Sequence, residues 1–170
     1  MNLASLIRDV PDFPVEGVLF KDITTLLQNP KAFHEAVDRL AAHYADRKID
    51  QVVSIESRGF IFGAPLAYKL GAGLVPIRKP GKLPAKTISM DYSLEYGTST
   101  LEMHVDAIEP GQKVLLVDDL LATGGSARAA IQLVEKLGGV VVGAAFLIEL
   151  DFLHGAKQLE GYDLFSLIRF

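Results

Sequence analysis

Between Gln51 and Ile77 the chain commits to a β-α-β unit, and that unit restricts every larger arrangement it can join. Gln51–Ile55 is a short β-branched run suited to a buried strand, and Leu74–Ile77 supplies a second. Between them Ser57 stands where a helix cap belongs, and Gly71 stops the helix after Leu70. Strands joined through a helix run parallel, because the crossover returns the chain to the same end of the sheet. The pattern recurs downstream. Lys113–Val117 predicts a buried strand, Ala127, Ala130, Ile131, Val134 and Leu137 fall at helical spacing before Gly138-Gly139, and Val140–Leu150 predicts a central strand. Leu164–Ile168 predicts a short edge strand. Upstream, Asn29-Pro30 predicts a helix start, followed by Phe33, Ala36, Val37, Leu40, Ala41 and Tyr44 on one face. The expected fold is α/β, an open, mostly parallel, doubly wound sheet.

No linker, repeat or low-complexity tract divides the 170 residues, so one domain over 1–170 is expected. The absence of cysteine excludes a disulfide framework, a thiolate metal site and a cysteine nucleophile. His34, His43, His104 and His154 are far apart and show no metal-ligand spacing, so they read as surface or core packing. With neither a basic-then-apolar leader nor an apolar run of membrane length, the expectation is a cytoplasmic protein with no membrane partner. A net charge of −4 argues against a nucleic-acid partner. That charge is unevenly placed. From Ser57 to Met90 there is no Asp or Glu, while Arg58, Lys69, Arg78, Lys79, Lys82 and Lys86 all fall there. Such a segment is either a solvated basic face or a site for a small, highly anionic ligand, and charge alone does not decide between them.

In a doubly wound sheet, ligands bind where strands end and helices begin. The run Val114–Ser126 is such a turn: a hydrophobic strand delivers Asp118 and Asp119, and the small residues Ala122–Ser126 then open a helix. Backbone N–H groups, two hydroxyls and a helix N-terminus are the ordinary means of holding a phosphate. It is not a P-loop, since no Gly-Lys-Ser/Thr element follows. Two carboxylates beside a phosphate repel it unless they bond hydroxyls or face a metal, and a sugar phosphate with a free diol meets both halves. The plainer alternative is that Asp119 and Thr123 cap a helix. Pro80–Gly97 is too long for an ordinary connection, and it reads as a functional loop or as a hairpin pairing Lys86–Tyr92 with Thr98–His104.

The thirteen residues Val114–Ser126 resemble the signature of the phosphoribosyltransferase family. That resemblance implies Asp118 and Asp119 on the ribose hydroxyls of phosphoribosyl pyrophosphate, with Ala122, Thr123, Gly124, Gly125 and Ser126 on its 5′-phosphate. Glu56-Ser57-Arg58-Gly59-Phe60 is similar to the family's pyrophosphate loop, and Ile77–Pro84 to its next basic turn. Pyrophosphate binding is therefore implied for Glu56, Ser57, Arg58, Arg78, Lys79 and Lys82, along with a cis Glu56-Ser57 peptide. Pro11–Pro14 and Gly17–Ile23 resemble the base-binding segment of the adenine-using branch, which occupies 1–30 as a hood over the sheet. There Leu19 and Lys21 act through backbone groups, and Phe20 either stacks on the base or packs in the core. Tyr92–Gly97 resembles the tip of a flexible catalytic loop within 80–104, which makes Glu95 a catalytic candidate beside Arg58. From residues alone Glu95 is an ordinary loop acid.

The implied reaction joins adenine to phosphoribosyl pyrophosphate, giving AMP and pyrophosphate in purine salvage. Mg²⁺ arrives on the substrate, with no ligand expected from the protein, and the expected assembly is a homodimer with the basic turn near the subunit boundary. Two alternatives stand beside this: an enzyme for 6-oxopurines, and a non-catalytic sensor of phosphoribosyl pyrophosphate, which would be expected to carry a nucleic-acid surface.

Overall fold

The computed structural model describes residues 1–94 and 96–170. In chain order the elements are β1 (Arg8–Pro11), β2 (Leu19–Asp22), α1 (Thr24–Leu27), α2 (Pro30–His43), β3 (Gln51–Ile55), α3 (Arg58–Leu70) and β4 (Gly73–Ile77). They continue as β5 (Thr87–Leu94), β6 (Gly97–His104), β7 (Lys113–Leu121), α4 (Gly125–Lys136), β8 (Val140–Glu149) and β9 (Leu164–Arg169). Five strands form the central sheet in the order β4-β3-β7-β8-β9, with every neighbouring pair parallel.

Side-chain alternation along β7 divides the core into two layers. Leu115 and Val117 face α2 and α3, where Val37, Leu40, Phe62 and Leu66 are buried. Val114 and Leu116 face the other way, onto Ala130, Leu133 and Val134 of α4 and onto Leu101 and Met103 of β6. Both faces of the sheet are thus covered, as parallel strands require. Asn29 starts α2 as its sequence predicts: its side-chain oxygen accepts from the Ala32 N–H at 3.2 Å, and Pro30 occupies the first helical position.

Three local features depart from the sequence pattern. The strand expected over Lys113–Val117 continues to Leu121, because its ladder to β8 runs past the acidic pair through Leu120↔Ile148 and Leu121↔Glu149. Backbone pairing is indifferent to the polarity that ends the apolar run. Ser57 precedes α3 as expected but makes no side-chain capping bond. The N-terminal segment forms an antiparallel hairpin, β1 with β2, whose four-residue strands carry no alternation that periodicity could register. Its connection contains a cis Phe13-Pro14 bond and is closed by Gly17, whose N–H donates to the Asp12 carboxylate at 2.8 Å.

Strands β5 and β6 pair from Thr87↔His104 to Leu94↔Gly97. Among the described residues, the isolated antiparallel bridge Arg78↔Glu102 joins this second hairpin to the sheet edge.

Asp22, at the end of β2, accepts from the Thr24 N–H (2.9 Å), the Thr24 hydroxyl (2.7 Å) and Arg8 (2.6 Å), which hold its carboxyl down at about 2. A lowered acid stabilises the fold above its unfolded value and loses that contribution as pH falls through the folded one. Thermal melts should therefore show Asp22→Asn less stable than the parent at neutral pH, with the gap closing between about pH 4 and about pH 2.

Candidate active site

Strand β3 leads through α3 to β4 on one side, while β7 pairs on its other side, so the strand order reverses between β3 and β7. The carboxyl ends of strands diverge at such a switch point and leave a crevice. Here it is a cleft of about 410 Å³, walled by Glu56, Ser57 and Arg58 after β3, Asp118 and Asp119 on β7, and Ala122, Thr123, Gly124 and Ser126 beyond it. Lys79 and Tyr92 also line it.

Asp118 and Asp119 are both buried. One Asp118 oxygen accepts from the Asp119 N–H at 2.8 Å, and Arg58 Nε donates to Asp119 Oδ2 at 2.6 Å. Burial pushes the Asp118 carboxyl well up, and the adjacent Asp119 carboxylate adds to the effect. Desolvation acts against the Arg58 charge, but the Asp119 carboxylate overrides it and the guanidinium is held more firmly charged. Gly59 permits this geometry. A Cβ there would stand 2.8 Å from Asp118 Oδ1, so α3 can begin against β7 only because the residue after Arg58 has no side chain.

The turn into α4 uses neither Asp119 nor Thr123 as a cap. Gly124 occupies the N-cap position at φ +89°, with no side-chain capping bond, so the first N–H groups of the helix are left for a ligand. The turn is braced from behind. A Cβ on Gly124 would lie 2.6 Å from the Gly155 carbonyl oxygen, and one on Gly155 would collide with the Ala122 carbonyl oxygen. Gly155 is buried at the start of a 3₁₀ turn, Gly155–Leu159. Sequence reasoning missed it, since its only signal is a His-Gly pair between two strands, which any surface turn supplies. Gly125 closes the other flank, where a Cβ would be 3.2 Å from the Tyr92 ring.

Glu56 and Ser57 are joined by a cis peptide. The Glu56 carboxylate turns toward the basic segment, accepting from the Lys79 N–H at 2.7 Å and from Arg78 Nε at 3.3 Å. The Lys79 N–H, aided by the Arg78 charge, holds the Glu56 carboxyl below its usual range. Arg78 and Lys82 lie outside the cleft wall. So do Leu19, Phe20 and Lys21, although the Arg58 guanidinium carbon sits 5.7 Å from the centre of the Phe20 ring and links the two regions. Phe20 is half-buried and meets Phe13 edge-on at 5.1 Å, so it belongs to the hairpin rather than to either core layer. Lys21 bonds Asp9 at 2.7 Å, and its ammonium lies 4.0 Å above the Phe170 ring. Glu95 lies outside the described residues. Among the described residues no three His, Cys, Asp or Glu side chains gather as a metal cage.

An acidic pair buried beside a capless helix N-terminus, with a cationic loop opposite, is the equipment for a phosphorylated sugar. The chain matches the phosphoribosyl transferase domain family over residues 22–168. An adenine phosphoribosyltransferase of Roseiflexus sp. is 60% identical over 99% of this chain and 98% of that one. The crystal structure of adenine phosphoribosyltransferase from Thermoanaerobacter pseudethanolicus superposes with a TM-score of 0.96 at 56% identity, covering 99% of this chain and 98% of that chain. The Saccharomyces cerevisiae enzyme, complexed with an imino-altritol bisphosphate and adenine, gives a TM-score of 0.91 at 43% identity over 97% of this chain and 96% of that chain. This chain belongs to the phosphoribosyltransferase family, in its adenine phosphoribosyltransferase branch.

A carboxyl raised by burial costs stability wherever it must ionise. Asp118→Asn should melt higher than the parent above neutral pH, with the difference vanishing toward about pH 4, while its KM for phosphoribosyl pyrophosphate rises. Gly155→Ala should raise the same KM by displacing the Ala122 carbonyl, and steady-state kinetics on both variants check the pair.

Proposed function

We propose that this protein transfers the phosphoribosyl group of phosphoribosyl pyrophosphate to adenine, releasing AMP and pyrophosphate. The observation that carries the reading is the convergence of Asp118, Asp119, the Ala122–Ser126 turn and Arg58 on one cleft at the switch point. High identity to adenine phosphoribosyltransferases over nearly the whole chain, and adenine bound in the yeast relative, support the choice of base.

In this reading the two aspartates take the ribose hydroxyls, and the N–H groups of the turn, with Thr123 and Ser126, take the 5′-phosphate. The anomeric C–O bond breaks as negative charge grows on the departing pyrophosphate. Arg58, Arg78, Lys79 and Lys82 are the cations that meet it. Arg58 is engaged by Asp119 in this structure, so a ribose hydroxyl bound at Asp119 frees the guanidinium to serve the leaving group. Glu56 acts through its grip on Lys79 and Arg78, since a carboxylate aimed at pyrophosphate would repel it. The hairpin β1–β2 presents backbone groups of Leu19 and Lys21 to the base beside Phe20.

The carboxylate that offsets positive charge on the sugar and takes the purine proton is assigned to Glu95 by resemblance alone. Mg²⁺, when it arrives on phosphoribosyl pyrophosphate, neutralises part of the diphosphate charge. The buried acidic pair fits hydroxyl binding better than a cation cage, because Asp119 is already matched by Arg58. A cytoplasmic homodimer belongs to the same reading. Exposed Tyr68 on α3 and Leu74 on β4 are apolar surface that a second copy would cover, and sedimentation tests it.

Adenine offers a donor at its 6-position where hypoxanthine offers an acceptor, and backbone groups cannot exchange roles. Turnover of adenine should exceed that of hypoxanthine by roughly 10⁴-fold in kcat/KM, measured by nucleotide formation with Mg²⁺ present. Comparable use of hypoxanthine assigns the chain to 6-oxopurines instead. Glu95→Gln should lower kcat by roughly 10²–10⁴-fold with little change in binding of phosphoribosyl pyrophosphate. Full turnover by that variant removes Glu95 from the chemistry.

A further inference from the structure

Glu102 lies on β6, outside every motif that relates the sequence to its family, and the cleft reading leaves it without a task. Its side chain faces away from the core: Leu101 and Met103 on either side are buried, and Glu102 shares the opposite face with Thr100 and His104. Among the described residues no cation pairs with its carboxylate. One oxygen accepts instead from the Gly81 N–H at 3.1 Å, and the other from the Thr87 hydroxyl at 3.3 Å. The Glu102 backbone makes the bridge to Arg78 in both directions, its N–H donating to the Arg78 carbonyl at 2.7 Å and its carbonyl accepting from the Arg78 N–H at 3.0 Å. Two residues along the same face, His104 Nε2 accepts from the Ala85 N–H at 3.2 Å.

Every one of these bonds ends on the segment from Arg78 to Thr87, which carries Lys79 and Lys82. That segment is held on its other side by the Glu56 carboxylate through Lys79 and Arg78. The basic turn therefore hangs between two acids. Glu56 belongs to the loop after β3, while Glu102 belongs to the hairpin that carries Tyr92 to the cleft rim. A turn tied on both sides by carboxylates, each taking one of its backbone N–H groups, gives the side chains of Arg78, Lys79 and Lys82 a fixed frame to start from. A turn released on one side keeps its charges but loses that fixed frame.

We propose that Glu102 is a positioning residue for pyrophosphate: it fixes the backbone of the Arg78–Lys82 turn to the β5–β6 hairpin, so that placement of the hairpin and presentation of the turn's cations are a single event. This rests on the reading that Arg78 and Lys82 address the pyrophosphate group. Glu102 touches no reacting atom, and its effect passes through Gly81 and Thr87.

The test compares Glu102→Ala, Glu102→Gln and Lys82→Ala with the parent, with inorganic pyrophosphate as the probe. Product inhibition by pyrophosphate and KM for phosphoribosyl pyrophosphate are read beside KM for adenine, kcat and the thermal melt. Glutamine keeps an oxygen for the Gly81 N–H and offers an amide to the Thr87 hydroxyl, whereas alanine keeps neither. Glu102→Ala should weaken pyrophosphate inhibition and raise KM for phosphoribosyl pyrophosphate by about tenfold, with KM for adenine within about twofold of the parent. Glu102→Gln should restore most of both. Melting temperatures within about 4 °C of the parent would place the effect in presentation of the turn rather than in folding. Unaltered pyrophosphate inhibition in Glu102→Ala, alongside a loss in Lys82→Ala, overturns the role of Glu102 alone. Unaltered inhibition in Lys82→Ala overturns the reading of the turn itself. An equal rise in both KM values, or no rescue by glutamine, assigns Glu102 to general stability and also overturns the proposal.

Discussion

Two neighbouring carboxyl groups are buried at the end of the central strand, and the surrounding architecture is organised by the need to keep them there. Buried acids of like charge are tolerable only with a cation or a set of donors close by. Arg58 meets that need, and it reaches Asp119 because Gly59 lets α3 start hard against β7. The same closeness opens the cleft between the ends of β3 and β7. In the proposed function, the ion pair that stabilises the acids in this state is also the pair that a sugar diol would reorganise. Stability and substrate recognition thus draw on the same few atoms.

The parallel sheet was legible because its signals are local and repeated. Gln51–Ile55, the Asn29 cap and the helical spacing from Ala127 to Leu137 each identify an element without help from the rest. The cleft turn after β7 was legible for a different reason: Asp118 to Ser126 crowds acids, hydroxyls and glycines into a stretch that packing alone does not call for. Features built by contacts across the chain left no such trace. The hairpin β1–β2 depends on Asp12 reaching Gly17 and on Lys21 lying over Phe170, and neither is a periodic pattern.

Glu56 and Glu102 show why a list of residue types underdetermines a site. Glu56 borders the acid-free stretch from Ser57 to Met90 and Glu102 lies beyond it, past Asp91 and Glu95, and charge arithmetic makes either an intruder beside the basic turn. Geometry makes them fasteners, since each carboxylate accepts one backbone N–H of the basic turn and one side-chain donor beside it. Register supplies the difference. Had β6 been displaced by one residue, Glu102 would face the core and Met103 the turn.

The interlocked glycines behind the Ala122–Ser126 turn have a thermodynamic meaning. With Gly155 filling the space behind Ala122 and Gly124, the turn has no room to collapse inward when empty. A loop that is mobile before binding must surrender conformational entropy to grip its ligand, and affinity falls by that amount. Here that entropy is surrendered during folding, so the anion of the proposed reading would meet donors already in place. Selectivity for the 5′-phosphate of the proposed substrate would then follow from rigidity, because a turn that cannot close would not adapt to a smaller or flatter anion.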